Sequence, residues 1–184
     1  MNVFDDKYLM QKVQDGDLSK MSLLFERHHR DLFRYFFRLT NDAAKSEDLV
    51  QDVFYRLLKY RHTYRGDGKF IYWMYSVAKN TLIGSMRKKN LVAKGDNERE
   101  VARQANPEKN GEDLLIATER KHLLRRAMQE LSPEKKEAII LSKFQGLKYQ
   151  EIAKLANCTE NTIKSRVHRG LIDLKAILLK LEIQ

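Results

Sequence analysis

A run of polar side chains follows Thr159, and its residue types are those that bind nucleic-acid bases and phosphates. Asparagine and arginine can form paired hydrogen bonds with base edges, whereas lysine, serine and threonine reach phosphate oxygens. The first turn of a helix adds backbone N–H groups that can bind a phosphate. The run therefore predicts a surface for duplex DNA, formed by Asn161, Thr162, Lys164, Ser165, Arg166, His168 and Arg169.

The elements around this run predict a helix-turn-helix. We expect a short helix over 149–156, a tight connection over 157–159, and a longer helix that begins after Thr159 as its N-cap and runs through Leu179. The apolar side chains that would set the angle between the two helices are Ile152, Ala153, Ile163 and Val167. An ordinary helical hairpin with a polar outer face is the alternative, and the basic charge of this region disfavours it.

A second cluster mixes aromatic and basic side chains over residues 64–89. Bases stack on exposed rings while cations hold the backbone, so this mixture is typical of proteins that bind single-stranded nucleic acid. The candidates are Tyr72, Trp73, Tyr75 and Asn80, among Arg65, Lys69, Lys79, Arg87, Lys88 and Lys89. Helical spacing places two sets of residues on two faces about 100° apart. The first set is Phe70, Met74, Val77, Ala78, Thr81 and Ser85, and the second is Trp73, Ser76, Asn80, Gly84 and Arg87. Burial of Trp73 and the tyrosines in the core is equally compatible with this spacing.

Nothing in the sequence indicates catalysis or a bound cofactor. Asp48 and Asp52 stand four residues apart, but no histidine motif accompanies them, so partner docking or solvation is favoured over a metal site. His28 falls on an apolar stripe and is expected to pack there, and Cys158 is expected to fill a small apolar space. We expect a protein that is not an enzyme, with no cofactor, no metal ion and no small-molecule substrate.

Length and charge predict two small helical domains joined by a flexible linker. The chain has 184 residues and a formal net charge of +10, which indicates a polyanionic partner. The net charge is +6 over residues 1–90, −1 over 91–112 and +5 over 113–184, and the middle stretch lacks aromatic residues. The predicted domains are therefore 1–90 and 113–184, in an all-α protein. With no long apolar run and no secretory signal, we expect a cytoplasmic protein.

Periodicity also predicts the other helices. Their expected ranges are 4–15, 19–39, 43–60 and 70–89 in the first domain, and 113–130 and 133–146 in the second, ahead of the helix-turn-helix. Gly16 is expected to end the first of these helices, and Ser132 with Pro133 is expected to begin the sixth.

Three stretches, in order, resemble the signatures of the extracytoplasmic-function (ECF) sigma factors of the sigma-70 family. Residues 46–54 are similar to region 2.2 of the family. Residues 64–80 and 87–89 are similar to regions 2.3 and 2.4. Residues 131–137, 149–153 and 162–169 are similar to regions 4.1 and 4.2. The sequence departs from the family at three positions. Gly84 stands where the family often has Asp, Gly170 where Ala is common, and Lys148 where Ser or Thr is usual.

The resemblance implies a sigma factor that binds core RNA polymerase, directs it to specific promoters and helps melt promoter DNA. The residues implied in docking on the polymerase are Asp48, Gln51, Asp52 and Phe54. Those implied in holding the melted downstream element, with one flipped base in the loop, are Tyr64, Arg65, Lys69, Trp73, Ser76, Lys79, Asn80, Arg87 and Lys88. The helix-turn-helix would bind the upstream element as duplex.

The family also implies a regulatory partner, an anti-sigma factor, which is frequently membrane-anchored. Two other functions remain compatible with the residues alone: a stand-alone transcriptional regulator with a sensory N-terminal domain, and a nucleic-acid-processing enzyme. The acidic stretch over 46–54, followed by the aromatic and basic helix, favours the sigma factor.

Overall fold

The protein is α-helical throughout the residues that the computed structural model describes, 5–66, 68–92 and 112–182. For 88–92 and 112–118 only the backbone is described. The helices are α1 (Asp6–Gln14), α2 (Lys20–Thr40), α3 (Ala43–Lys59), α4 (Phe70–Val92), α5 (Glu112–Glu130), α6 (Pro133–Ile139), α7 (Tyr149–Ala156) and α8 (Glu160–Glu182). A 3₁₀ turn covers Arg61–Thr63 and a π-helical turn covers Ile140–Phe144. The all-α fold class predicted from the sequence is confirmed.

The chain divides into two compact units. The first contains α1, α3, α4 and most of α2, and the second contains α5 to α8 together with residues 37–43. The predicted linker, residues 91–112, lies outside the described residues apart from its two ends.

The core of the first unit forms because three helices each bury one apolar stripe. On α4 four of the six residues of the predicted core face are buried: Phe70, Met74, Ala78 and Thr81 are at most 2% exposed, whereas Val77 and Ser85 are partly exposed. The buried stripe of α2 includes Leu24, Leu32 and Phe36, and that of α3 includes Leu49, Val53 and Leu57. These positions recur every three or four residues, so each helix presents a continuous apolar surface to its neighbours.

Helix α1 is attached to α2 by a charged cluster around Asp6. Its carboxylate accepts a hydrogen bond from Arg27 Nη1 at 2.7 Å and lies 2.7 Å from His28 Nε2. Burial raises the pKa of Asp6, but the hydrogen bonds from His28 and Arg27 outweigh it and hold the pKa below its ordinary value. His28 is 8% exposed, so its predicted place in the core is confirmed, with Asp6 as its polar partner.

The second unit departs from the predicted helix over 133–146. After Ile139 the chain widens into the π-helical turn, in which the Gln145 N–H donates to the Ile140 carbonyl at 3.1 Å. The wider turn occurs where three consecutive apolar side chains, Ile139, Ile140 and Leu141, are all buried. Gly146 follows with φ +68°, a conformation that favours glycine and ends the segment at the predicted residue.

Candidate nucleic-acid interfaces

Local hydrogen bonds define the helix-turn-helix of α7 and α8. Lys148 cannot cap α7 with its side chain, but the Glu151 carboxylate accepts a hydrogen bond from the Lys148 backbone N–H at 2.7 Å. Asn157 ends α7 in the left-handed conformation, with φ 48° and ψ 52°. The Thr159 hydroxyl then accepts a hydrogen bond from the Thr162 N–H at 3.2 Å, which confirms Thr159 as the N-cap of α8.

One face of α8 packs against the rest of the unit, and the opposite face is exposed to solvent. The predicted contacts with α7 are buried: Ile152, Ala153, Ile163 and Val167 are each at most 6% exposed. On the outer face Asn161, Lys164, Ser165, His168 and Arg169 are exposed, and Thr162 and Arg166 are partly exposed. The structure therefore brings all seven residues predicted to bind duplex DNA onto the solvent side of one helix. Their binding to DNA stays a prediction.

Three of these side chains have local partners. Lys164 forms an ion pair with Glu160 at 3.2 Å, one turn earlier in the helix. Arg166 Nη1 lies 3.9 Å from the Cys158 sulfur in the turn. The Thr162 hydroxyl lies 2.9 Å from that of Thr159. The long basic side chains are thus held near the start of α8, where the helix dipole also favours an anion.

The first unit carries an aromatic wall at the start of α4. The ring of Tyr64 lies 5.2 Å from that of Trp73 and 6.2 Å from that of Phe70, measured between centroids. Trp73 is partly exposed, whereas Tyr64 is only 5% exposed. The wall therefore offers the Trp73 ring to a ligand. Tyr64, predicted to touch the single strand, is instead buried behind the tryptophan because its ring completes the packing there.

The other residues predicted to bind the single strand lie before α4 or along it. Arg65, Lys69, Asn80 and Arg87 are exposed, and Ser76 and Lys79 are partly exposed. Lys88 belongs to α4, but its side chain, like Asp67 in the preceding loop, lies outside the described residues. Of the other aromatic candidates, Tyr72 is partly exposed, but Tyr75 is 1% exposed and packs against Tyr35, which excludes it from the surface.

The outer face of α3 is the third candidate surface. Asp48 and Gln51 are exposed, and Asp52 forms an ion pair with Arg56 at 3.1 Å. Phe54, predicted as a docking residue, is 7% exposed and packs edge-on against Phe25, so it supports the helix from inside. Tyr55, which helical spacing places off the core stripe of α3 but which was not among the predicted docking residues, is 62% exposed. Its position three residues after Asp52 and seven after Asp48 was the available signal.

The loop that precedes α4 and contains Tyr64 is contacted by α1, a helix that carries no nucleic-acid signal in the sequence. Gln14 Nε2 donates hydrogen bonds to two backbone carbonyls, that of Arg61 at 2.9 Å and that of Tyr64 at 2.7 Å. The loop before α4 is thus held by a helix nearly fifty residues earlier in the chain.

Within 5–66, 68–92 and 112–182, no helix is long and apolar enough to span a membrane. The same ranges hold no group of three His, Cys, Asp or Glu side chains arranged to bind a metal ion.

Comparison with known proteins gives two family matches in the order of the two units. Residues 24–91 match Sigma-70 region 2, and residues 121–174 match Sigma-70, region 4. Among curated relatives, RNA polymerase sigma factor CarQ of Myxococcus xanthus is 29% identical over 175 residues, covering 95% of this chain and 98% of the relative. The ECF RNA polymerase sigma-E factor of Escherichia coli K12 is 28% identical over 177 residues, covering 90% of each chain.

Solved structures agree with these matches. The sigma factor RpoE of Bartonella quintana, solved in complex with the anti-sigma factor NepR, superposes with a TM-score of 0.69 at 26% identity, covering 85% of this chain and 95% of that one. CnrH, solved with the cytosolic domain of CnrY, has the same fold, with a TM-score of 0.71 at 18% identity, covering 94% and 96%.

The matches to Sigma-70 region 2 and to Sigma-70, region 4 fall in the first helical unit and in the unit that carries the helix-turn-helix, and the chain belongs to the sigma-70 family. Within it, the chain is an ECF RNA polymerase sigma factor. It is therefore a transcription initiation factor, which binds core RNA polymerase and promoter DNA.

Proposed function

We propose that the two units bind the two promoter elements in different states. The first unit takes the downstream element as a melted single strand, and the second takes the upstream element as duplex. The observation that carries the proposal is the exposure of Trp73 beside Arg65 and Lys69 in one unit. The other unit instead presents the polar outer face of α8.

A partly exposed indole on a helix that also carries solvent-accessible basic residues suits a strand with unpaired bases. A base in duplex DNA has no face available for stacking, whereas a melted base can stack on Trp73 for about 1–3 kcal/mol. Arg65, Lys69 and Lys79 can neutralise neighbouring phosphates. The same surface gains affinity only as the strands separate, so binding there favours melting.

The outer face of α8 suits the major groove of duplex DNA. Asn161 and Arg169 can form paired hydrogen bonds with an adenine and a guanine edge, respectively. Lys164 and Ser165 can bind phosphates on either side. The stretch between α4 and α5 allows both contacts at once: its 19 residues, 93–111, reach at most roughly 65 Å when extended, close to the length of two turns of duplex.

We propose that core RNA polymerase docks on the outer face of α3, through Asp48, Gln51 and Asp52. Tyr55 extends this surface with an apolar ring, which is the composition expected where one protein binds another. The complex forms in the cytoplasm, and the protein itself catalyses no reaction.

Regulation by an anti-sigma factor is a further part of the proposal. The similar RpoE of Bartonella quintana was crystallised in complex with the anti-sigma factor NepR. An equivalent partner of this protein would cover surfaces that the polymerase needs.

The direct test is transcription in vitro with core RNA polymerase on a pool of random promoters, with and without the protein. Transcripts that depend on the protein and share two spaced motifs are expected, and the motifs supply the recognition sequences. The proposal would fail if the protein bound core polymerase but its transcripts shared one motif only. Tight, sequence-specific duplex binding without polymerase would point to a stand-alone regulator.

The docking surface is tested separately by the double variant Asp48→Arg with Asp52→Arg. Its affinity for core polymerase is expected to fall at least tenfold, because two acidic contacts become repulsive. The matched control, Asp15→Arg with Asp17→Arg, makes the same charge change at exposed positions after α1. Equal affinities of the two double variants would remove α3 from the docking site.

A further inference from the structure

We infer that α1 is part of the single-strand site and that Gln14 is its positioning residue, through the two hydrogen bonds by which it shapes the 61–66 segment. The inference rests on the proposed function, in which this segment lies beside the flipped base. It adds to that function a residue from a helix outside the sigma-70 region 2 match, which begins at residue 24.

The hydrogen bonds of Gln14 are specific to an amide side chain. Its Nε2 donates to the carbonyl of Arg61 at 2.9 Å and to that of Tyr64 at 2.7 Å. Both partners are carbonyl oxygens, which only accept, so the two N–H groups of one amide satisfy both. The acceptors stand three residues apart, one in the 3₁₀ turn and one just after it. A single side chain therefore holds the path of the chain where it approaches α4.

A second set of contacts shows that α1 follows the segment as far as Gly66. Lys7, Gln11 and Gln14 recur at helical spacing, so they share one face of α1. A Cβ atom added at Gly66 would lie 3.5 Å from Lys7 Cε and 3.6 Å from Gln11 Nε2. Gly66 has φ +68°, a conformation that favours glycine. The turn in the segment therefore falls at the residue that lies next to α1.

The segment connects Gln14 to the base-binding ring. Tyr64, whose carbonyl accepts from Gln14, places its own ring 5.2 Å from that of Trp73. If Gln14 lost its amide, the Arg61 carbonyl would keep its hydrogen bond from the Tyr64 N–H at 3.2 Å, but the Tyr64 carbonyl would lose the Gln14 donor and the segment would no longer be tied to α1. Tyr64 would then support Trp73 less closely, and the space for a flipped base would lose its defined shape.

The test compares base discrimination with overall affinity. Holoenzyme, reconstituted from core polymerase and the full chain, is titrated against forked promoter DNA that carries each of the four bases at the flipped position. Gln14→Met keeps the length of the side chain and removes both donors. We expect the ratio between the best and worst base to fall about tenfold, the worth of two hydrogen bonds. The salt dependence of binding is expected to stay unchanged, because no phosphate contact is lost.

Two further variants separate positioning from general loss of structure. Gln14→Glu is isosteric but places a carboxylate against the two carbonyls, so it should lose discrimination as Gln14→Met does. Leu49→Ala removes a buried side chain ten residues before the end of α3, about 15 Å along the helix from the 3₁₀ turn. This control should lower the melting temperature of the protein and keep the discrimination ratio.

The possible results separate the positioning role of Gln14 from the proposed single-strand site on which that role depends. A wild-type holoenzyme with no preference among the four bases would overturn the proposed single-strand site. A wild-type preference that Gln14→Met retains would overturn the positioning role alone. Equal loss of discrimination in Leu49→Ala would also overturn it, because any destabilisation would then produce the effect.

Discussion

Gly170 of α8 lies directly against Ile139 of α6. A Cβ atom added at residue 170 would come within 2.9 Å of Ile139 Cδ1 and 3.1 Å of Lys135 Cβ. The first atom could rotate away, but the second is fixed to its backbone. The absence of a side chain at this position therefore sets how closely α6 approaches the helix that carries the predicted DNA-binding face.

Gly170→Ala is expected to destabilise the protein, although alanine is the better helix former. Alanine gains about 1 kcal/mol in helix propensity, but overpacking a well-packed contact costs about 1–3 kcal/mol. We expect a net loss of about 1 kcal/mol in the free energy of unfolding, measured by urea denaturation. In an Ile139→Val background the same substitution should cost less than in the wild type, because Cδ1 of Ile139, one of the two close atoms, is gone. An unchanged cost would leave Lys135 Cβ as the obstacle.

Gly84→Ala is expected to have the opposite sign. Gly84 is an exposed residue within α4, and an added Cβ would meet no atom within 4 Å. Only the propensity term remains, so the free energy of unfolding should rise by up to about 1 kcal/mol. In thermal denaturation this corresponds to a rise of about 4–8 °C for a unit of this size. A lower melting temperature would show that residue 84 needs a conformation or contact that only glycine provides.

The carboxylate of Asp6 gives part of the stability a defined pH dependence. The pKa of Asp6 is lower in the folded protein than its ordinary value of 3.8. The ionised carboxylate therefore contributes fully to the free energy of unfolding above pH 3.8, and this contribution is lost as the pH falls through the pKa of the folded state. Asp6→Asn should therefore cost about 1–3 kcal/mol at pH 7, the worth of hydrogen bonds to a charged group.

The pH series for this prediction runs from 7 to 3, with the free energy of unfolding measured at each point. The difference between Asp6→Asn and the wild type should shrink towards the acid end of the series. Asp15→Asn, an exposed residue just after α1, serves as the control and should change stability by less than about 0.5 kcal/mol. A difference that stayed constant down to pH 3 would contradict the role of the ionised carboxylate.

Two exposed cations of α8 are expected to act differently on DNA. Arg169→Ala should cost about 1–3 kcal/mol on the upstream element and relax the preference at one base pair. Lys164→Ala should weaken binding evenly across sequences and reduce the salt slope by about 0.9. Holoenzyme binding to upstream elements with single base-pair changes, at several salt concentrations, measures both. If both variants lost affinity evenly, Arg169 would be a phosphate contact.

Features with a local period were the ones that the sequence predicted well. Phe70, Met74 and Ala78 recur at helical spacing, and the structure buries all three. Thr159 was identified as an N-cap because capping depends on the next three residues only. The π-helical turn after Ile139 was missed, since nothing in the apolar run over 139–141 distinguishes it from a continuing α-helix.

Features that depend on contacts between distant residues were predicted poorly. Trp73, Tyr64 and Tyr75 looked alike in sequence, yet the first is partly exposed and the others are buried. What decides between them is the neighbouring helix, such as Tyr35 against Tyr75. Likewise Gln14 meets the Arg61 carbonyl across 47 residues, a separation at which no periodic pattern connects the two.

The two-faced character of α8 has a consequence for how such proteins diversify. Ile163 and Val167, which hold the helix in the fold, are buried, while Asn161, Ser165, His168 and Arg169 are exposed on its outer face. Mutations on the outer face can therefore accumulate almost without a folding penalty. After gene duplication, copies of such a chain can acquire new target sequences by drift at a few surface codons while keeping one inherited architecture.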